Sequence, residues 1–414
     1  MTRVSTNMTN DDMQYYLQLR NSEMNNLQNQ MAEGTKIKDL RDDPVSAAHS
    51  VKYLSKINRL NRFSENIDTI MSENRIAESY MVSANNIIHR VRELAIQGGN
   101  DTFTKFEKNI MADEVNQLLN ELISIANAKT SDGTSMFAGD KTQSDAYRVL
   151  SSRVPGSLNK VITDVQYSGS INPIQAEISE SSYMDAGFSG NRVFWAEQQQ
   201  IISNRDAQNF VVTADSKFRI DNDYISIKAG DNIHTIIARI NSSDAAVKAS
   251  LDPVQNSIVI ESTAAHEIWL EDSESGRILK DLGLISEIGH PPNNIARDAE
   301  IGGGSLFDMV IDLRDQLYAG NTINIGGSSL KGLTLGQDNL ISSIALLGSH
   351  EERLKTVKER LNSEIPETIA QNSREVDLDM TKAITDLKML EYTQKASMQV
   401  AGRILQPTLL DFLR

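Results

Sequence analysis

The stretch that decides the fold is residues 60–95, LNRFSENIDTIMSENRIAESYMVSANNIIHRVRELA. Its apolar residues recur at alternating steps of three and four, which places their side chains along one face of a helix. At about 1.5 Å per residue this predicts a helix on the order of 50 Å long, which needs other helices along its length to cover that face. Asn74 interrupts the series, either as a polar group that fixes the register or because that face turns outward there.

The residues on either side predict where this helix and its neighbours begin and end. Asp43 followed by Pro44 has the pattern of an N-cap and a first helical position, and Gly98-Gly99 predicts the end. Thr104 and Glu107 have the spacing of a capping box, which opens a further helix that runs out near Asn127. Upstream, a seam at four-three spacing ends at Gly34 and consists of Met13, Leu17, Arg20, Met24, Leu27 and Met31.

The C-terminal part is also helical in pattern. Gly302-Gly-Gly304 and Ser305 close the middle region, and a helical pattern resumes from Leu306 to Leu317. A glycine-rich connection over 320–336 then leads to a final helical section from about Gln337. Pro366 lies inside that section and is expected to end or kink the helix near Ile365, because proline lacks the N–H that a helix interior needs. The last seam again has the four-three step and comprises Val376, Met380, Ala383, Leu387, Leu390, Gln394, Ser397, Ala401 and Ile404.

Between about 140 and 302 the hydrophobic period changes to two. Runs such as 161–167, 224–228 and 257–261 alternate as strands do, and turn formers such as Pro155-Gly156 separate them. One short helix is expected from Asn232 to Ile240. Helical segments therefore flank a β-rich insert on both sides.

The sequence predicts an α+β fold in which a long antiparallel helical rod, built from both termini, carries a β-rich head. The expected divisions are terminal helices at 1–44 and 375–414, a rod at 45–140 and 303–374, and the head at 141–302. The residues expected to pack the rod are Ile67, Ile70, Met81, Ile88, Val91 and Leu94.

The seams nearest the two termini have few partners within one chain, so ordering them costs entropy that little burial offsets. We therefore expect both termini to be disordered in the free subunit and to order against neighbouring subunits. The predicted assembly interface comprises Met13, Leu17, Met24, Leu27, Met31, Met380, Ala383, Leu387, Leu390, Ala401, Ile404, Leu409 and Leu410.

Composition excludes several classes of protein. A formal net charge of −15 gives no overall field to attract nucleic acid or an anionic membrane, and neither is expected as a partner. The chain has no cysteine, which excludes disulfides and thiolate chemistry. The polar start lacks the apolar core of a cleaved signal peptide, and no apolar run is long enough to span a membrane.

Residue types that carry chemistry form no recognisable constellation. The six histidines are scattered without zinc spacing, and Asp221-Asn-Asp223 lacks the glycine and distal glutamate of a calcium loop. Gly302-Gly-Gly304 lacks the Lys-Ser/Thr of a phosphate loop and is interpreted as a hinge. The sequence predicts no enzyme, cofactor or metal site.

Against this background the chain resembles the flagellin superfamily. Near the N-terminus the resemblance lies in Leu27-Gln28, Glu33-Gly-Thr-Lys-Ile37, Asp42-Asp-Pro-Val-Ser46, Val91-Arg-Glu-Leu-Ala-Ile-Gln97, Ile125-Ala-Asn127 and Met136-Phe-Ala-Gly139. At the C-terminus it lies in Asp377-Leu-Asp-Met-Thr-Lys-Ala-Ile-Thr385, Ala396-Ser-Met-Gln-Val-Ala401 and Ile404-Leu-Gln-Pro-Thr-Leu-Leu410. Residues 217–285 are similar to a β-rich repeat module of flagellar outer domains.

Within the family, several segments look like the hook-associated protein 3 branch, and Pro407 departs from the family pattern. These segments are Arg3-Val-Ser-Thr-Asn7, Asp42-Asp-Pro44, Phe137-Ala-Gly139, residues 306–317 and Gly348-Ser-His-Glu-Glu-Arg-Leu354.

The resemblance implies a structural subunit that joins hook to filament. Its expected partners are hook-associated protein 1, flagellin, copies of itself in a ring and a flagellar export chaperone. It also implies export through the flagellar type III apparatus to an external flagellum, or to the periplasm if the flagellum is internal. The alternatives are a filament flagellin and, more remotely, a cytosolic coiled-coil tether.

Overall fold

A computed structural model of the chain describes residues 6–37, 41–130, 132–157, 159–273 and 276–404. Backbone contacts divide the chain into two units, one drawn from residues 1–65 and 358–414 and the other from residues 66–357. The ten α-helices of the described residues are α1 (Thr6–Glu33), α2 (Pro44–Gly98), α3 (Lys105–Ala126), α4 (Gly190–Val193), α5 (Ile233–Asn241), α6 (Ile278–Asp281), α7 (Leu306–Ala319), α8 (Thr322–Asn324), α9 (Leu330–Val376) and α10 (Met380–Ile404).

The eleven strands of the described residues all lie in the second unit. They are β1 (Tyr147–Ser152), β2 (Val161–Tyr167), β3 (Gln175–Ser179), β4 (Ser182–Asp185), β5 (Gln200–Ile202), β6 (Ser216–Ile220), β7 (Asp223–Ile227), β8 (Val247–Leu251), β9 (Ile258–Ser262), β10 (Leu270–Asp272) and β11 (Glu300–Gly302). They form two two-stranded sheets, β1-β2 and β3-β4, a three-stranded sheet β10-β6-β7 and a four-stranded sheet β11-β5-β9-β8. Every pairing is antiparallel. The α+β fold, with long helices at both termini and a β-rich middle, is confirmed.

The predicted helix starts are found where the sequence places them. Asp43 Oδ1 accepts from the N–H groups of Val45 and Ser46 at 3.0 and 3.2 Å, which caps α2. The hydroxyl and the N–H of Ser46 together hold the pKa of Asp43 below its usual value. Thr104 and Glu107 form the predicted capping box of α3, and α2 ends at Gly98.

The glycine-rich segment 320–336 is helical, so the prediction of an irregular connection is wrong. Thr322–Asn324 is helical, Ile325–Ser329 is a π-helical turn, and α9 begins at Leu330. Close packing explains two of the glycines, since a Cβ on Gly336 would overlap Leu306 Cδ1 and one on Gly332 would overlap Met309 Sδ. The contact with α7 outweighs a loss of helix propensity of about 1 kcal/mol for each glycine.

Pro366 does not end its helix, which contradicts one of the two predicted effects. Proline removes one backbone hydrogen bond, yet α9 continues to Val376. Leu361 and Thr368, on either side of the proline, are both buried in the first unit. Burial on both sides keeps the helix intact across the missing bond.

The interior of the second unit is built where α2, α3, α7 and α9 meet the strands. Asn74 is buried there, so the interpretation that this face turns outward is wrong. Arg314 is also fully buried, and its Nη1 donates to Ile162 O at 2.6 Å and to Asn116 Oδ1 at 3.1 Å. One guanidinium thus connects α7 to β2 and to α3. A ring cluster beside it comprises Phe137, Tyr147, Tyr167, Phe194 and Phe307.

Candidate assembly interface

The first unit contains a pair of helices formed by the two ends of the chain. α1 packs against α10, and the side-chain amide of Gln394 donates to Asn21 Oδ1 between them. The pairing of N-terminal with C-terminal helices that the sequence predicts is therefore present in this unit.

A short backbone junction fixes the register of the two helices. Lys36 N–H donates to Val376 O at 2.8 Å, and Leu378 N–H donates to Gly34 O at 2.9 Å. Gly34 has a φ of +73°, a conformation that glycine adopts without strain, and this lets the chain turn out of α1. Lys36 Nζ also donates to Arg374 O at 2.9 Å.

The predicted seam residues face each other across this pair but are only partly covered. The five apolar seam residues of α1 are half-buried, and so are Leu387 and Leu390 of α10, whereas Met380 is exposed. Ile404 is the last residue of α10 and its side chain is not described, and Leu409 and Leu410 lie outside the described residues. The seams therefore have more cover within one chain than we expected, though it is incomplete.

The core of the α1/α10 pair is very small. Among the side chains described at 11–33 and 380–402, only Ala383 and Ala401 are buried. Two alanines bury little apolar surface for some fifty residues of helix, since stabilisation follows the area removed from water, at about 25 cal/mol per Å². Helices of this kind depend on packing rather than on propensity for their stability.

A second set of apolar side chains points away from the seam and was missed by the sequence analysis. At about 100° per residue, Tyr15 and Tyr16 on α1 and Met389 and Tyr392 on α10 project from other faces of their helices. Tyr392 is 76% exposed and Met389 67% exposed. We name the exposed apolar side chains of these two helices that lie outside the predicted seams the outer apolar residues: Tyr15, Tyr16, Leu19, Ile384, Met389, Tyr392, Met398 and Val400.

In the sequence, the adjacent Tyr15-Tyr16 pair could have indicated that α1 carries outer apolar residues. Aromatic residues make up only 5% of the chain, and two of them adjoin each other on α1 outside the four-three series. An exposed group of large apolar side chains is typical of an interaction site.

The six predicted rod-packing residues lie on α2 in the second unit and are all buried. Met81, Ile88, Val91 and Leu94 share one hydrophobic cluster with residues of α3, α7 and α9, such as Leu119. This part of the chain has the extensive core that the α1/α10 pair lacks.

The described residues show no other arrangement that points to chemistry. Within them, no three His, Asp or Glu side chains are grouped so that they could hold a metal ion. No helix in the described ranges is both long enough and apolar enough to cross a membrane. His266 and Asp221 form a buried pair with Nε2 and Oδ2 3.0 Å apart, and His266 Nδ1 lies 3.0 Å from Ala264 O. This imidazole therefore ties a turn to the sheet.

Two family profiles match the sequence. The bacterial flagellin N-terminal helical region matches residues 4–142, and the flagellin hook IN motif matches residues 219–264. The first match covers α1, α2 and α3, and the second lies in the β-rich insert.

Similar proteins are flagellins. The chain is 23% identical to polar flagellin A of Vibrio parahaemolyticus over 411 residues, which is 97% of this chain and 96% of that protein. It is 34% identical to a flagellin of Clostridium tyrobutyricum over 122 residues, or 28% of this chain and 32% of that protein.

The solved structures to which the chain shows similarity include hook-associated protein 3 of Legionella pneumophila. That structure has a TM-score of 0.46 and 18% identity, over 78% of this chain and 97% of that chain. FlgL of Xanthomonas campestris has a TM-score of 0.45 and 15% identity, over 77% of this chain and 99% of that chain.

The chain therefore contains two flagellin-type regions, the bacterial flagellin N-terminal helical region on α1–α3 and the flagellin hook IN motif in the β-rich insert.

Proposed function

We propose that this chain is the subunit that joins the flagellar hook to the filament, and that it assembles through the α1/α10 pair. The observation that carries the proposal is the contrast within that pair: two buried alanines inside, and a set of large apolar side chains outside. Adjacent copies supply the missing cover when the helices pack side by side.

The predicted disorder of the termini in the free subunit is part of this proposal. A helix pair with so small a core opens easily, because fixing each residue costs about 1–2 kcal/mol of backbone entropy. Binding to neighbours then supplies the burial that orders it.

We assign the junction role from sequence features of the hook-associated protein 3 branch. Phe137-Ala-Gly139 is one such feature, and it has a defined place in the fold. Phe137 is fully buried, and Gly139 has a φ of +62° with Ser170 O where a Cβ would lie. A larger residue at 139 would displace the β2–β3 connection.

In this role the subunit forms a ring with copies of itself, between hook-associated protein 1 on the hook and flagellin in the filament. A cytosolic chaperone covers the apolar face of α10 before export through the flagellar type III apparatus. The destination is the external flagellum, or the periplasm if the flagellum is internal.

Deleting the gene in the source bacterium tests the junction role. The expected phenotype is complete hooks without filaments, with flagellin released into the medium. Filaments of normal length on the mutant cells would contradict it.

Truncation before Met380 tests the assembly surface separately. The shortened protein should remain soluble, with its second unit folded, and should fail to bind hooks. Filament growth supported by the truncated protein would show that α10 is not the assembly surface.

A filament flagellin is the second candidate, and the Vibrio alignment favours it because it spans 96% of a polar flagellin. The two functions differ in polymerisation. A flagellin extends long filaments from sheared filament seeds, whereas a junction subunit stops at a short ring or stays monomeric.

A further inference from the structure

Glu267 lies at a junction between the β-rich insert and the helical part of the second unit. It follows β9 and lines a cavity of about 130 Å³. The cavity is also lined by Asp164 of β2, by Asp308 of α7 and by the ring of Trp195. Carboxylates from the insert and from the helical part thus line one partly open cavity.

The cavity holds more negative charge than its walls can neutralise. None of the described residues that line it is a lysine, arginine or histidine. Burial, and then the charges of Asp308 and Asp164, raise the pKa of Glu267 to about 8. A proton on Glu267 therefore supplies the neutralisation.

Asp308, which lines the same cavity, also caps the N-terminus of α7. Its Oδ2 accepts from the N–H and from the hydroxyl of Ser305, both at 2.8 Å, in the capping box that starts α7. Burial raises the pKa of Asp308, and the two hydrogen bonds from Ser305 oppose this effect because they favour the ionised carboxylate. Ionisation of Glu267 consequently adds negative charge beside the carboxyl group that caps α7.

The strip 266–269 that carries Glu267 is attached by polar side chains. Asn191 accepts from Glu267 N–H at 2.9 Å and donates to Glu267 O at 3.0 Å. Gln199 Oε1 accepts from Ile268 N–H at 2.6 Å. Asn191 and Gln199 lie within the insert, on the segment 190–199, and in this segment Phe194 O accepts from Leu306 N–H at the start of α7, at 2.8 Å.

We propose that protonated Glu267 holds the β-rich insert against the helical part of the second unit, and that its ionisation at alkaline pH loosens this junction. Repulsion from Asp164 and Asp308 then acts on the strip 266–269, which is bonded to Asn191 and Gln199 and, through Trp269, to Asp221 at the end of β6.

The other titratable groups around Glu267 do not share this behaviour. Burial raises the pKa of Tyr147 and of Tyr167 above the range in which Glu267 titrates, so both phenols stay neutral. His266 lies on the same strip as Glu267 and is hydrogen-bonded to Asp221, which lies outside the strip. The Nζ of Lys141 lies 5.9 Å from the centroid of the Trp269 ring, but this residue is not among those lining the cavity.

Tryptophan fluorescence reports on this junction directly. The chain has two tryptophans, Trp195 in the cavity wall and Trp269 two residues after Glu267. Emission of the full chain is followed from pH 5.5 to 9.5, together with Glu267→Gln and a control, Glu300→Gln, which changes an exposed carboxylate on β11. Amide exchange of residues 264–270 is measured at both ends of the range.

The expected result is a reversible emission change with a midpoint near pH 8 in the parent and in Glu300→Gln, and its loss in Glu267→Gln. Exchange at 264–270, corrected for the intrinsic effect of pH, should be at least tenfold faster at pH 9.5 than at pH 5.5 in the parent and in Glu300→Gln, but not in Glu267→Gln. Asp164→Asn should move the midpoint to lower pH, because it removes one of the charges that raise the pKa of Glu267. Flat emission in the parent, or a transition that Glu267→Gln retains, would overturn the proposal.

Discussion

Replacing two outer apolar residues on α10 should prevent assembly without unfolding the subunit. Met389 and Tyr392 are largely exposed in the single chain, so Met389→Ser together with Tyr392→Ser removes little that the free subunit buries. We expect the free energy of unfolding of the monomer to change by less than about 0.5 kcal/mol. Complete burial of such a side chain against a neighbour is worth about 1.5–3 kcal/mol.

The pair of substitutions should therefore weaken each contact by about 3–6 kcal/mol. At 1.4 kcal/mol for a factor of ten, this raises the dissociation constant about 10²–10⁴-fold. The assay is co-sedimentation of the purified subunit with isolated hooks that carry the first junction protein. The matched control is Lys388→Ser with Glu391→Ser, which changes two exposed polar residues of the same helix. Equal sedimentation of the two double variants would refute the assignment of this face.

Three further predictions concern the second unit. Gly336→Ala should destabilise it because the new methyl group overlaps α7, whereas Gly348→Ala, which meets no atom within 4 Å, should stabilise the same helix by about 0.5–1 kcal/mol in urea unfolding. Arg314→Met should lower the free energy of unfolding by about 2–4 kcal/mol, since it leaves buried acceptors unpaired, and Lys331→Met, at an exposed site, should not. The folded state holds the proton of Glu267 with a pKa raised from 4.5 to about 8, so stability should fall as the pH rises through this range, and Glu267→Gln should flatten that dependence in calorimetric scans.

The helices could be predicted wherever local chemistry decides them. The three-and-four spacing of 60–95, the Asp43-Pro44 start and the capping box at Thr104 are properties of a few neighbouring residues, and the structure confirms all three. The segment 320–336 was mispredicted because its glycines serve a contact with α7 that is distant in sequence. A local pattern cannot distinguish a glycine that permits a turn from one that permits close packing.

The same reasoning predicted the seam of the candidate interface but not its outer apolar residues. Periodicity identified the seam, but whether a seam faces its own chain or a neighbour depends on which helix lies opposite. In this structure α10 lies opposite α1 and covers the seam in part, which leaves Tyr16 and Tyr392 outside. These residues fall outside the four-three series, so a search for periodicity passes over them.

Amide hydrogen exchange tests most directly whether the α1/α10 pair needs neighbours for its stability. In the free subunit we expect residues 11–33 and 380–402 to exchange at least a hundredfold faster than residues 67–95 of α2, and to become protected when the subunit is bound to hooks. Exchange in the free subunit as slow at the two ends as in α2, with no further protection on binding, would contradict the account.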